Sequence, residues 1–277
     1  MTATTSAPAP TTGSAAAPRV TGAGMLRAQW IQLTRQIGPL LGIVLSGGLL
    51  IGTGGIAIMA FHNALSDGTM EVGTSDLREI PGYGFAFAQL LFGVSAIVFV
   101  TVEWSSGAIL ATLAGTQRRI GLLWTKALIA AVTVALVLAV SCAVILLVAG
   151  SVLPAVDPLY SATDPLTIHH VVNLVIAGAL STLLAVGLAF WLRKTVVAIV
   201  TYVAIMLVAP IALSLIPSDT IASLSDWLPM NSIGYLMVTG EVPGSPSYTA
   251  VLVCLILWAA GALGLGAWRV AASDVRA

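Results

Sequence analysis

Charge is what this sequence has least of. Asp, Glu, Lys and Arg make up 8% of the 277 residues while 58% are hydrophobic, and soluble domains carry roughly 25% charged residues. A water-facing surface cannot be built from so few, and the composition is that of an integral membrane protein. Acids and bases balance at eleven each, so no basic excess points to nucleic acid. Cysteine is almost missing. Cys142 and Cys254 each fall in the middle of a long apolar run, which suits buried thiols inside lipid-embedded helices better than a disulfide framework or a metal site. Lysine occurs only at 126 and 194, and there is no GxxxxGK[ST] phosphate loop; the chain is expected to hydrolyse no nucleotide itself. HExxH, GxSxG and CxxC are absent as well. His169 and His170 are neighbours, about 100° apart around a helix, and His62 lies far off in sequence. They make a poor ligand set, and no metal is expected. Finally, the apolar stretches contain essentially no ionisable residue, which weighs against an ion-coupled carrier or an intramembrane hydrolase.

What is present is apolar length. Runs near 38–61, 83–102, 127–150, 171–192, 195–216 and 248–268 each reach the ~20 residues that a helix needs to cross the hydrocarbon core. Continuous apolarity, as in LIAAVTVALVLAVSCAVILLVAG, is unlike the alternation of a membrane barrel strand. The expectation is an all-α membrane protein of six transmembrane helices. Arg193 and Lys194 alone separate the fourth and fifth spans, so these two form a tight hairpin. With both termini in the cytoplasm, Arg19, Arg27, Arg35, Arg118, Arg119, Lys126, Arg193, Lys194, Arg269 and Arg276 all fall inside and Arg78 alone outside, the asymmetry of the positive-inside rule. A multi-pass protein of the plasma (inner) membrane follows. The basic turn at 193–194 is explained by that rule alone.

Residues 1–22, beginning MTATTSAPAPTTGSAAAP, lack the apolar side chains to fold and read as a disordered Thr/Ala/Pro-rich cytoplasmic tail; residues 23–277 hold the six-helix domain. No basic start leads directly into an apolar run, so no signal cleavage is expected. Before the first span, Leu26, Trp30, Leu33 and Ile37 recur at helical spacing, with Arg27, Gln29, Arg35 and Gln36 elsewhere around the helix. This is an amphipathic helix for the membrane interface, with Trp30 in the headgroup layer and Arg27 and Arg35 flanking it. It serves either as a plain anchor or as a contact for a cytoplasmic partner. Gly48 and Gly52 form a GxxxG pair in the first span, which predicts close helix packing there. Between Pro217 and Ser247, IASLSDWL and NSIGYLMV are too short to span; they are half-helices dipping into the outer leaflet, or an ordinary loop capping the bundle.

The scarce charges gather in one segment, TVEWSSGAILATLAGTQRRIGLLWTK, residues 101–126. Glu103 ends the second span, where a helix dipole disfavours a carboxylate, and Lys126 begins the third, where it disfavours a cation. Charges so placed in a partly desolvated interface need compensation from each other or from Arg118 and Arg119. Between them, Ser105 and Ser106 can cap a short helix over AILATLA that Gly115 can end, which gives a cytoplasmic helix held between spans two and three.

The pattern Glu103-Trp104-x-x-Gly107, Leu113, Arg118-Arg119, Leu123, Lys126 resembles the E-(Y/W)-x-x-G segment between the second and third spans of ABC-2 type permeases, the membrane subunits of ATP-binding cassette exporters. Span number, terminal sidedness, the N-terminal amphipathic helix and the short pieces before the last span are also similar, so the likeness covers roughly 23–277. Trp104 and Ala108 depart mildly from the commonest residues, Tyr and Thr. The resemblance implies a coupling helix between spans two and three, with Glu103, Gly107, Arg118, Arg119 and Lys126 passing motion from a separate cytoplasmic ABC ATPase. It implies no cofactor in this chain, ATP and Mg in that partner, and a second membrane subunit, the same chain or a related one. The cargo would be hydrophobic or amphipathic: a drug, a peptide or a lipid-like molecule. Arg118 and Arg119 are available to acidic groups of the ATPase or to lipid phosphates. A non-transporting scaffold or immunity-type protein is the competing reading, and a secondary carrier a third.

Overall fold

The computed structural model describes residues 22–68, 73–105, 119–238 and 245–272, and among these it is mostly helix with no strand. Helix α1, Gly22–Arg35, turns at Gln36 into α2, Ile37–Ser66. The short α3, Thr74–Arg78, leads to α4, Phe85–Ser105, and then come α5, Arg119–Val152, and α6, Pro165–Leu192. Helix α7, Thr195–Ser214, contains a π turn over Ala204–Val208. Two short helices, α8, Asp219–Ser225, and α9, Pro229–Met237, precede α10, Tyr248–Ala272.

Six of these, α2, α4, α5, α6, α7 and α10, are long and apolar enough to cross a membrane. Their packing agrees with that environment. The α5 span has the highest mean hydropathy of the six, 3.0, yet only 28% of its most apolar window is buried; Leu136, Val140 and Leu147 point outward. In water such a surface would be an aggregation site, and in lipid it is the solvent-facing side. The centre of the bundle is α6, which packs on α10, α5, α4 and α7, while α2 packs on α4 and α5. Along α4 the buried stripe runs Phe85, Phe92, Phe99 at a seven-residue interval.

Gly48 and Gly52 do not make the close approach expected of them. Among the described residues nothing lies within 4 Å of a Cβ added at either, and the tight contacts of α2 are made by Gly42, against Ser95 of α4, and by Gly47, against Val137 and Ser141, and Gly54, against Ile145. The small residues that meet α5 therefore lie on another face of the helix. The two short pieces after α7 do form helices, and α9 packs on α10 and α6.

At the end of the bundle where α6 begins, Asp164 caps the helix by accepting from the Leu166 N–H at 3.0 Å, with Pro165 in the first turn. Its other oxygen takes the Arg78 guanidinium at 2.7 Å. The Leu166 N–H, and after it Arg78, hold the carboxyl below the usual carboxylate range. A lowered folded value makes this stabilisation complete above the ordinary value of about 3.9 and lost as pH falls through the lowered one. Asp164→Asn is therefore expected to flatten the acid limb of a thermal-unfolding profile measured from pH 7 to pH 3. A limb as steep as that of the unmodified protein would show that the charge of Asp164 contributes nothing, since asparagine can still cap the helix.

Candidate functional site: a buried ion pair at one end of the bundle

At the opposite end, Glu103 sits two residues from the end of α4, and Lys126 sits on α5. Helix α5 begins earlier than its apolar run suggests, at Arg119, so Lys126 does not open the third span but lies two turns inside it. The two charges meet: Lys126 Nζ is 3.1 Å from Glu103 Oε1, with side-chain exposures of 1% and 9%. Glu103, in the last turn of α4, opposes the dipole of its helix, whereas Lys126 lies too deep in α5 for the N-terminal dipole to act on it; burial is what makes each charge need the other.

The ammonium has further partners. It donates to Gln32 Oε1 at 3.3 Å and to the Phe99 carbonyl at 3.4 Å, and lies 4.2 Å from the centre of the Phe99 ring. Lys has three N–H donors, and Glu103, Gln32 and Phe99 O take them. One side chain thus ties α1, α4 and α5 together. So enclosed, the ammonium is taken up by contacts within the chain that hold three helices together.

Helix α1 meets this joint with an unexpected face. Gln29 and Leu33 are buried and Gln32 half-buried, whereas Trp30 is 47% and Ile37 80% exposed. The apolar stripe Leu26, Trp30, Leu33, Ile37 therefore splits: Leu33 turns to the bundle, and Trp30 turns away with Ile31, Arg27 and Arg35. Gln32 is the contact that sequence reasoning missed. Its signal was the pair of glutamines, 29 and 32, one turn apart on the face that the bundle covers.

Beside Glu103, Trp104 packs on the core and carries the Arg193 guanidinium over its ring, 4.4 Å from the centroid. One turn back, Thr195 of α7 donates a 2.8 Å hydrogen bond to Thr101. Of the expected coupling residues, the structure joins Glu103 and Lys126 and starts α5 at Arg119. Gly107 and Arg118 lie outside the described residues, as do Ser106, the expected helix over AILATLA and Gly115; Ser105, the other expected cap, is the last residue of α4.

The remaining polar groups of note are at the Asp164 end. His170 Nδ1 donates to the Met237 carbonyl and Asn173 Nδ2 to the Leu236 carbonyl, both at 2.8 Å, and Tyr248 donates to Asn173 Oδ1 at 2.9 Å. These capture the last carbonyls of α9, which a helix end leaves without partners of its own. His170 is thus a cap on α9. Cys142 is buried as expected; Cys254 is only half-buried, its thiol donating to the Trp227 carbonyl at 3.2 Å. No family model matches the chain, and the curated proteins contain no match to it.

Proposed function

We propose that this chain is the membrane subunit of an ATP-driven exporter of the ABC-2 type, with Glu103–Lys126 as the joint through which a separate cytoplasmic ATPase moves the bundle. The observation that carries the reading is the buried ion pair itself. It sits where the 101–126 segment leaves α4 and enters α5, and it ties in α1 through Gln32. A push on the segment between the two helices would reach three helices at once. In this reading the termini and the Glu103 end face the cytoplasm of the plasma membrane, ATP and Mg are bound by the partner, and two membrane subunits enclose the path of a hydrophobic or amphipathic cargo.

The test is to co-express the chain with a cassette ATPase encoded beside it, purify the complex in lipid and measure ATP hydrolysis. Arg118→Ala/Arg119→Ala leaves the ion pair in place and is expected to lower hydrolysis about tenfold, the loss of roughly one charge-assisted contact. An ATPase that does not co-purify, or one whose rate is unchanged by this variant, would remove the coupling role.

A further inference from the structure

The α6–α7 turn holds a residue whose position the topology rule leaves unexplained. Arg193 has φ 59° and ψ 0°, and among the described residues it is the only non-glycine at positive φ. A helix that ends in this left-handed conformation usually does so on glycine or asparagine, because a Cβ crowds the backbone there. A positive charge for sidedness is already supplied next door by Lys194, in an extended conformation without strain. What the strained position provides is a direction for the side chain. The guanidinium lies 4.4 Å from the ring centre of Trp104, adjacent to Glu103, and donates at 2.9 Å to the Arg269 carbonyl. That carbonyl is one of the last four of α10, which have no partner within their own helix.

We propose that Arg193 is a positioning residue that staples the ends of α4 and α10 to the α6–α7 turn, so that the Glu103 end of the bundle moves as one block. The flat guanidinium suits both contacts at once, stacking on an indole while its edge donates to a carbonyl. The inference extends the coupling reading of Glu103. Its test uses this chain alone, so the staple and the exporter reading can fail separately.

The full chain is placed in lipid nanodiscs and its amide hydrogen exchange and unfolding temperature are compared with those of Arg193→Gly and Arg193→Lys. Glycine relieves the left-handed strain, so the unfolding temperature of R193G is expected to hold or rise. Meanwhile exchange in the last turns of α4 and α10 is expected to quicken about tenfold, as one charge-assisted hydrogen bond and one stacked cation are lost. R193K restores the charge without the flat fork and is expected to leave both ends exchanging fast. Unchanged exchange at both ends in R193G overturns the staple, and so does full protection in R193K, which would make charge alone sufficient. A fall in unfolding temperature with faster exchange throughout the chain also overturns it, in favour of a general structural role.

Discussion

Replacing Glu103 with alanine is expected to destabilise the protein by about 3–5 kcal/mol, the usual consequence of leaving one member of a buried ion pair without the other. Lys126 cannot escape to water: its side chain is 1% exposed, and its remaining acceptors, Gln32 Oε1 and the Phe99 carbonyl, carry no charge. Lys126→Met alone leaves the carboxylate in the last turn of α4, where the dipole opposes it, and should also be costly. The double variant Glu103→Ala/Lys126→Met is expected to recover most of either loss, because an apolar replacement of a whole buried pair is often neutral or better. Unfolding in detergent, scored as a double-mutant cycle, measures the coupling. If Glu103→Ala alone costs less than about 1 kcal/mol, the pair behaves as a solvated surface bridge, and its place as a joint is lost.

Gly187→Ala is expected to have an effect of similar size from one added carbon. At Gly187 the backbones of α6 and α10 touch, and a Cβ there would lie 2.6 Å from the Ala262 carbonyl oxygen and closer still to its carbonyl carbon. Clashes with flexible side chains relax at a cost of typically 1–3 kcal/mol. This clash is with helix backbone, so the two helices must separate, and about 3 kcal/mol or more should be lost. The control is on the facing helix: among the described residues nothing lies within 4 Å of a Cβ added at Gly261 or Gly264, and alanine at either should be neutral or stabilise by up to about 1 kcal/mol through helix propensity. Equal unfolding temperatures for Gly187→Ala and Gly264→Ala would contradict the close approach.

The six spans were readable because crossing hydrocarbon takes a fixed apolar length, and the ion pair was readable because charges set among apolar spans need compensation, although Lys126 lies two turns inside its helix and not at the end where the dipole would oppose it. Faces were not readable. A soluble helix separates its polar and apolar sides, but a span is apolar on both, so Leu136, which points outward, and Leu138, which is fully buried, look alike in the sequence. The same blindness put the close packing of α2 at Gly48 and Gly52 instead of Gly42, Gly47 and Gly54. Hydropathy also misses polar residues that belong to a span: the helix carrying Lys126 starts seven residues before it, at an arginine that closes the apolar run. Arg193 was legible as a charge and not as a contact, since its partners, Trp104 and the Arg269 carbonyl, are distant in the chain and one of them is a backbone atom.

The contact at Gly187 also sets a mechanical ratio. Two helices that touch backbone to backbone cannot be pressed closer there, so any tilt of α10 against α6 has that point as its fulcrum. Gly187 lies five residues from the Leu192 end of α6 and twenty-two from Pro165, which at about 1.5 Å per residue gives arms of about 8 Å and about 33 Å. A tilt that shifts the short arm by about 1 Å would sweep the long arm through about 4 Å. The short arm is the stiff side of the lever, and at the far end the 2.9 Å Tyr248–Asn173 hydrogen bond ties α10 to α6, so it is the contact that such a tilt would have to break.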